Sequence, residues 1–469
     1  MFVVSSAVLQ TRNNEQLTMT KLPSPFIAQM QSILGDQFPS FEASLQTVSP
    51  TSIRYNPYKS VQKLAGNPVP WAENAIYLAE RPEFSQDPFW HGGAYYVQEA
   101  GSMFTAHVVE QLLPRLENPV VLDLCAAPGG KSTHLATILQ GKGLLVANEV
   151  VRGRLNILQE NLIKWGLPNC VITHNDPSNF GRALNFFDIV VVDAPCSGEG
   201  LFRKQADAVD EWSEKHVEFC AMRQRRILED IWPSIRPGGF LVYSTCTYNT
   251  AENEDNIFWI NEQFDTAAVQ IEVDPNWGIT SETHDGFSCF RFYPHKTSSE
   301  GFFITVLQKQ EEDYRNPNLH TKHPYFLRLS KEEQPRLNGW FLESENILMK
   351  QPNGIINLLP STFYAEIEVL AQKLKVVYTG TEVCEIKGKD ANPMQSLASS
   401  ICLNTEAFSV ADLDLENALN YLAKADFKAD CPIGHNLMTY QNLPLGWIKN
   451  LPNRINNYYP QEWRLRNIK

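Results

Sequence analysis

The sequence predicts an α/β fold, a mostly parallel sheet spanning roughly residues 95–310, and three observations predict it. Short apolar runs rich in branched residues recur at Val120–Leu124, Leu144–Glu149, Cys170–Thr173, Ile189–Val192 and Phe240–Tyr243, the pattern of strands buried on both faces. Stretches of helical length separate most of them, the alternation that yields a parallel sheet. Acids stand where three of these strands run out, at Glu149, Asp176 and Asp193, and ligands in open α/β sheets bind at that carboxyl edge.

Residues 1–94 read as a small α+β domain. Ser24–Leu34 has the spacing of a short amphipathic helix, and Pro50–Pro57 reads as a strand or turn with an exposed Arg54. Tyr95–Ala100 leads into a helix that runs to about Leu113, and Pro114–Pro119 is a link. The first strand, Val120–Leu124, runs into Cys125, Ala126, Ala127, Pro128, Gly129, Gly130 and Lys131. Small residues and two glycines there let backbone approach a ligand closely. A helix is expected over Ser132–Gln140. Glu149 lies 20 residues beyond Gly129, near the spacing at which a nucleotide-binding fold sets a carboxylate on ribose hydroxyls. Val151–Trp165 is an amphipathic helix with Val151, Leu155, Leu158 and Leu162 on one face, stopped by Gly166.

The Gly-Gly-Lys-Ser turn is not a P-loop, because Cys125 stands where the first glycine belongs. That argues against a nucleoside triphosphate. With Glu149, Asp176 and Asp193 the turn suits adenosine without a triphosphate, and S-adenosylmethionine fits: acids can meet its ribose, its adenine amino group and its ammonium group.

The fourth strand, Ile189–Val192, leads through Asp193 and Pro195 to Cys196. Asp207 to about Trp232 reads as one helix with Arg223, Arg225 and Arg226 at the surface, and Arg236–Gly239 as a turn. The fifth strand, Phe240–Tyr243, leads to Cys246. Thr250 is the expected N-cap of a helix over Ala251–Phe264. Cys289–Pro294 and Gly301–Leu307 read as an antiparallel pair. Residues 311–325 look like a linker to a C-terminal region, 323–469, in which Val376–Lys387 suggests strands and Leu413–Ala425 a helix. The tail from Gly446 interleaves aromatics with 5 basic residues against one acid. Such a segment either stacks on exposed bases and tracks phosphate, or is an ordinary strand with a Trp/Tyr core.

At 469 residues the chain is long enough for two to four domains. Its net charge of −13 argues against indiscriminate nucleic-acid binding and requires any polyanion to be met locally. Nine cysteines without a C-x-x-C suggest neither a metal site nor a disulfide framework, and free thiols point to a reducing compartment. Met1–Gln10 is apolar but short and lacks a basic flank, so neither a signal peptide nor a membrane anchor is expected, and the protein is expected to be cytoplasmic.

Two strands thus deliver Cys196 and Cys246 to one edge beside the expected cofactor turn. An isolated cysteine is usually a small core residue, but a pair here suits one chemistry. C5 of cytosine is a poor nucleophile. A thiolate added at C6 turns C5 into an enamine-like carbon that can attack a methyl sulfonium, and loss of the C5 proton then expels the thiol. An acid near N3 and the exocyclic amine would hold the charge.

Asp193–Gly198, Ser244–Thr247 and Cys125–Lys131 resemble the signatures of the RNA (cytosine-5)-methyltransferases, the NOL/NOP/Sun family. The match extends through Tyr95–Glu99, Arg203-Lys204, Arg236–Gly239 and Glu252–Glu254 to Gly301–Phe303, about half the chain. The resemblance implies a Rossmann-like class I S-adenosylmethionine-dependent core. It implies Cys246 as nucleophile and Cys196 as the residue that assists elimination. It implies that Cys125, Ala126, Ala127, Pro128, Gly129, Gly130, Lys131, Glu149, Asp176 and Asp193 bind the cofactor, with Asp193 and Lys131 also touching the base. The flanking regions are similar to the bacterial 16S rRNA methyltransferase F group, which ends in a PUA-like RNA-binding domain. A monomer acting on 16S rRNA or the 30S subunit, with no metal and no membrane, is the expectation; a tRNA enzyme or a silent RNA-binding assembly factor are the alternatives. A DNA cytosine-5 methyltransferase would carry its nucleophile in the Pro-Cys motif, and an amino-nitrogen methyltransferase would carry Pro-Pro-Tyr or Pro-Pro-Phe where Ala194-Pro-Cys196 stands.

Overall fold

The computed structural model describes residues 21–310, 319, 323–342, 345–388 and 390–468. Met1–Gln10 and most of the expected linker at 311–325 lie outside the described residues. The core is a ten-stranded sheet: β1 (Val120–Asp123), β2 (Leu144–Asn148), β3 (Cys170–Thr173), β4 (Phe187–Asp193), β5 (Ile235–Thr245), β6 (Thr266–Ala268), β7 (Thr280–His284), β8 (Phe287–Phe292), β9 (Phe302–Lys309) and β10 (Val376–Thr379). Their spatial order is β7-β8-β9-β5-β4-β1-β2-β3-β10, with β6 beside β9. β1 to β5 run parallel, and the remaining strands add in antiparallel sense. This is the Rossmann-like α/β architecture. The chain winds outward in both directions from β1, so β1 and β4 flank the point where strand order reverses, the place where such sheets hold ligands.

Period-two alternation sorts the strand residues between two apolar layers. Val121, Leu145, Ile172, Ile189 and Val242 meet helices α1 (Ala100–Leu112), α2 (Gly130–Leu139) and α3 (Arg152–Trp165). Leu122, Val146, Val171, Val190 and Leu241 meet α4 (Glu214–Ile231) and α5 (Glu254–Gln263). α3 stops at Gly166 in a left-handed conformation, φ +83°, where an added Cβ would sit 2.0 Å from Ser399 O. No helix of the described residues is long and apolar enough to cross a membrane.

The N-terminal α+β domain has the expected helix Ser24–Leu34 and an antiparallel sheet in the order Asn67–Pro68, Ala75–Leu78, Thr51–Tyr55, Tyr95–Val97. That sheet closes on residues past 94. Its first helices reach the loops that follow β4 and β5: Phe26 and Phe41 pack with Phe202, Trp212, Tyr248 and Tyr293. The C-terminal region holds two four-stranded sheets, and the second (Ser409–Leu413, Gly434–Tyr440, Leu443–Leu451, Arg454–Asn457) packs with helix Leu415–Ala423 around its own apolar core. The same region also supplies β10 to the core sheet, so that sheet extends beyond residue 310.

Several expectations are corrected. Arg54 is not exposed but buried, bonded through Nε to Gln98 Oε1 at 3.0 Å and through a terminal nitrogen to Thr133 Oγ1 at 2.7 Å, and stacked on Trp165. Val151 is exposed and caps α3, leaving Leu155, Leu158 and Leu162 as its apolar face. The helix expected over 207–232 breaks after Ala206–Glu211, because Trp212 turns inward to Glu199 (3.0 Å) and Ser213 caps α4 through His216 N (3.2 Å). Arg236–Gly239 belongs to β5. α5 starts at Glu254, not Ala251, because Asn253 is drawn inward to Thr245 Oγ1 (2.6 Å). In the tail, for which two readings stood open, Trp447 and Tyr459 are buried in a packed core while Tyr458 is exposed.

Candidate active site

Three loops leave the carboxyl ends of β1, β4 and β5 and meet. After β1, Gly129 adopts φ +114° and opens α2, and an added Cβ on Gly130 would press on Tyr96 Cε1 at 3.3 Å. A side chain at Gly130 would require the Tyr96 ring to give way by a few tenths of an ångström. The resulting cavity, about 170 Å³, is lined by Asp123, Cys125–Pro128, Gly130, Lys131 and Asp193, and from the other side by Tyr96 to Glu99 and Ser102.

Asp123 was not anticipated from sequence. It ends β1, accepts from Ser132 Oγ at 2.6 Å through Oδ2, and leaves a buried Oδ1 without a partner among the described residues. Burial pushes its carboxyl up to about 7, against the Ser132 bond and Lys131. The signal available was its place two residues before the loop of small residues, but there it reads as strand. Glu149 is buried, accepts from Val151 N at 2.8 Å and faces Arg154 at 3.7 Å. Asp176 is exposed and caps its own turn through Ser178 N at 3.1 Å. Neither Glu149 nor Asp176 is among the residues lining the cavity. The Cys125 thiol is pushed up by burial and by Glu149.

Lys131 Nζ bonds Asp193 Oδ2 at 2.9 Å, and Ser244 Oγ donates to Asp193 Oδ1 at 3.0 Å. Burial works against the Lys131 ammonium, but Asp193 outweighs it and holds the group charged above the ordinary lysine range. Beside this pair the two thiols meet: Cys196 Sγ lies 3.0 Å from Cys246 Sγ, and Cys246 N donates to Cys196 Sγ at 3.3 Å. Their loops are tied by buried polar groups. Glu199 accepts from Tyr248 N (2.8 Å), Asn249 N (3.0 Å) and Gln29 Nε2 (3.1 Å). Gly200 and Gly301 stack so closely that a Cβ on Gly200 would lie 2.4 Å from Gly301 O. The sequence-predicted residues Cys246, Cys196, Asp193 and Lys131 therefore converge.

A Gly-rich loop at the switch point, an orphaned carboxylate oxygen and a narrow cavity fit S-adenosylmethionine, whose ammonium and ribose hydroxyls need acceptors and whose adenosine needs a slot without phosphate-binding amides. Fold and site together define a class I S-adenosylmethionine-dependent methyltransferase.

Comparison with known proteins narrows the class. The family model described as 16S rRNA methyltransferase RsmB/F matches residues 110–308. The N-terminal domain of 16S rRNA methyltransferase RsmF matches 22–100, and the methyltransferase RsmF PUA domain matches 408–465. Ribosomal RNA small subunit methyltransferase F of Enterobacter sp. (strain 638) is 30% identical over 470 residues, 94% of this chain and 95% of that one. The protein of the same name from Erwinia tasmaniensis is 32% identical over 476 residues, 94% of this chain and 96% of that one. The crystal structure of a methyltransferase homolog protein from Pyrococcus horikoshii shares the fold at TM-score 0.53 and 26% identity, over 63% of this chain and 97% of that one. The chain belongs to the ribosomal RNA small subunit methyltransferase F family and is an S-adenosylmethionine-dependent RNA methyltransferase.

Proposed function

We propose that the chain methylates C5 of a cytosine in 16S rRNA through a transient bond between Cys246 Sγ and C6 of the base. The observation that carries this reading is the pair of sulfurs 3.0 Å apart beside the Lys131–Asp193 ion pair, both of whose residues line the cofactor cavity. S-adenosylmethionine, when bound, supplies a methyl group on a sulfonium.

In this reading the loop Cys125–Lys131, Asp123 and Asp193 hold the cofactor within the cavity, and Glu149 and Asp176, outside its lining, meet the parts of the cofactor that extend past the ends of β2 and β3. Asp193 and Lys131 face the pyrimidine at N3 and its exocyclic amine, where charge develops as the thiolate adds, and fixed charges at that point lower the barrier. The Cys246 thiolate adds at C6, C5 takes the methyl group, and the C5 proton leaves to water. The C6–S bond breaks with its electron pair returning to Cys246, and Cys196 assists this release.

The substrate assignment rests on relatives named for small-subunit ribosomal RNA over nearly their whole length. The flanking regions (1–94 and 323–469) grip the RNA around a catalytic domain at 95–310, and the protein works as a cytoplasmic monomer. Bisulfite sequencing of ribosomal and transfer RNA from a deletion strain tests the reading: one 16S cytosine should lose protection, and wild type but not Cys246→Ala should restore it. Loss of a methylcytosine from tRNA alone would overturn the 16S assignment.

A further inference from the structure

Glu252, in the turn before α5, is fully buried next to the Cys196 loop. Its carboxylate accepts from Ser197 N at 3.0 Å, Gln224 Nε2 at 2.7 Å and Asn249 Nδ2 at 2.8 Å. Each partner is an N–H that can only donate, and together these bonds favour the ionised carboxylate against burial, which pushes the group above the ordinary carboxylate range. None of the three is a cation, so the negative charge is solvated by dipoles and stays unneutralised. The Gln224 amide also donates to Pro195 O at 3.0 Å. The residues on either side of Cys196 are thereby fastened to Glu252.

The charge is lopsided with respect to the two thiols. Cys196 feels the anion of Glu252, while the Lys131 ammonium feels Cys246. The other groups near Cys196 are engaged elsewhere. Tyr243 OH donates to Glu252 O at 2.6 Å, Cys220 contacts His216 on α4 at 3.5 Å, and Arg225 donates to Asn256 at 2.9 Å. Arg223 on α4 is exposed, and Asp193 is paired with Lys131. The Cys246 contact, burial and Glu252 all push the Cys196 thiol up, and the Cys246 N–H opposes them with the smaller effect.

Resting on the reading above, we propose that Glu252 is a positioning residue that sets the charge states of the two thiols apart, holding Cys196 as a neutral S–H donor to the sulfur of Cys246. Cys196 is then not the base that takes the C5 proton. Its S–H stabilises the Cys246 thiolate before attack, and again when the C6–S bond breaks and the electron pair returns to Cys246.

Peptide-resolved alkylation of the full chain by iodoacetamide across pH tests this without RNA, so it fails independently of the substrate reading. At one fixed pH, Cys246 measured in Cys196→Ser should be alkylated roughly tenfold faster than Cys196 measured in Cys246→Ser. Adding Glu252→Gln to Cys246→Ser should lower the midpoint pH of Cys196 alkylation by about one unit, a roughly tenfold gain in rate at fixed pH, and Glu252→Asp should leave it in place. An unchanged midpoint in a Glu252→Gln chain that still binds S-adenosylmethionine overturns the proposal. If that variant loses cofactor binding, the order of the two alkylation rates with Glu252 intact decides: equal or reversed rates overturn it.

Discussion

Cys196 Sγ and Cys246 Sγ, 50 residues apart in sequence, lie 3.0 Å apart at the ends of neighbouring parallel strands. β4 and β5 pair in register up to Asp193 against Ser244, so residues three and two positions further on face each other across the sheet edge. Roles divide by which sulfur bonds carbon. Cys246→Ala should lower methyl transfer by about 10⁴-fold or more, the scale of losing a nucleophile. Cys196→Ala should still add to the base but release it slowly, leaving a protein–RNA band that survives denaturing electrophoresis. A band that needs Cys196 and survives loss of Cys246 reverses the roles.

Lys131→Met removes the ammonium that faces Asp193 at 2.9 Å while keeping the length of the side chain. A fixed charge aimed at developing charge is worth on the order of 10²–10³ in rate. kcat should therefore fall by that order, and more than cofactor affinity measured by calorimetry. Equal losses in both would make Lys131 a cofactor ligand alone.

Asp123 gives a pH signature. Folded, it keeps its proton up to about 7; unfolded, it releases it near the ordinary carboxylate value of about 4. Between those values the folded state binds the extra proton, so this group's contribution to stability falls as pH rises. The melting temperature of the cofactor-free wild type, relative to Asp123→Asn, should decline from pH 4 to 7 and level off above. Parallel curves would mean that the carboxyl is not perturbed.

Gly166→Ala tests how the C-terminal region docks on the core. The left-handed φ of +83° strains any side chain, and the Cβ would collide with Ser399 O. The cost should be at least about 2 kcal/mol, read as an earlier first transition in urea, since a chain of several domains need not unfold in one step. An unmoved transition would show that residues 395–399 are not held against α3.

The parts legible in the sequence were those fixed by local pattern. β1 to β4 announce themselves because strands buried on both faces must be apolar throughout, and the loop Cys125–Lys131 because close backbone approach demands small residues. What escaped depends on distant partners. Arg54 looks like a surface cation until Gln98, Thr133 and Trp165 close around it. Asp123 reads as the polar end of a strand, and only the surrounding loops make it an orphaned acceptor. The start of α5 is set by Asn253 bonding Thr245 across the site, which no helix-capping rule anticipates. β10 joins the core from more than two hundred residues beyond its partner β3. The aromatics at Trp447 and Tyr459 could serve stacking or packing equally until their burial is seen.

The central claim is a covalent bond from one sulfur to C6. An RNA carrying 5-fluorocytosine at the target position has no C5 proton to lose after methyl transfer, so the adduct cannot collapse. Incubated with this RNA and S-adenosylmethionine, then digested and analysed by mass spectrometry, the wild-type chain should carry the methylated, fluorinated nucleotide on the peptide containing Cys246. A nucleotide on the Cys196 peptide, or full methylation of unmodified RNA with no adduct on either cysteine, would contradict the account.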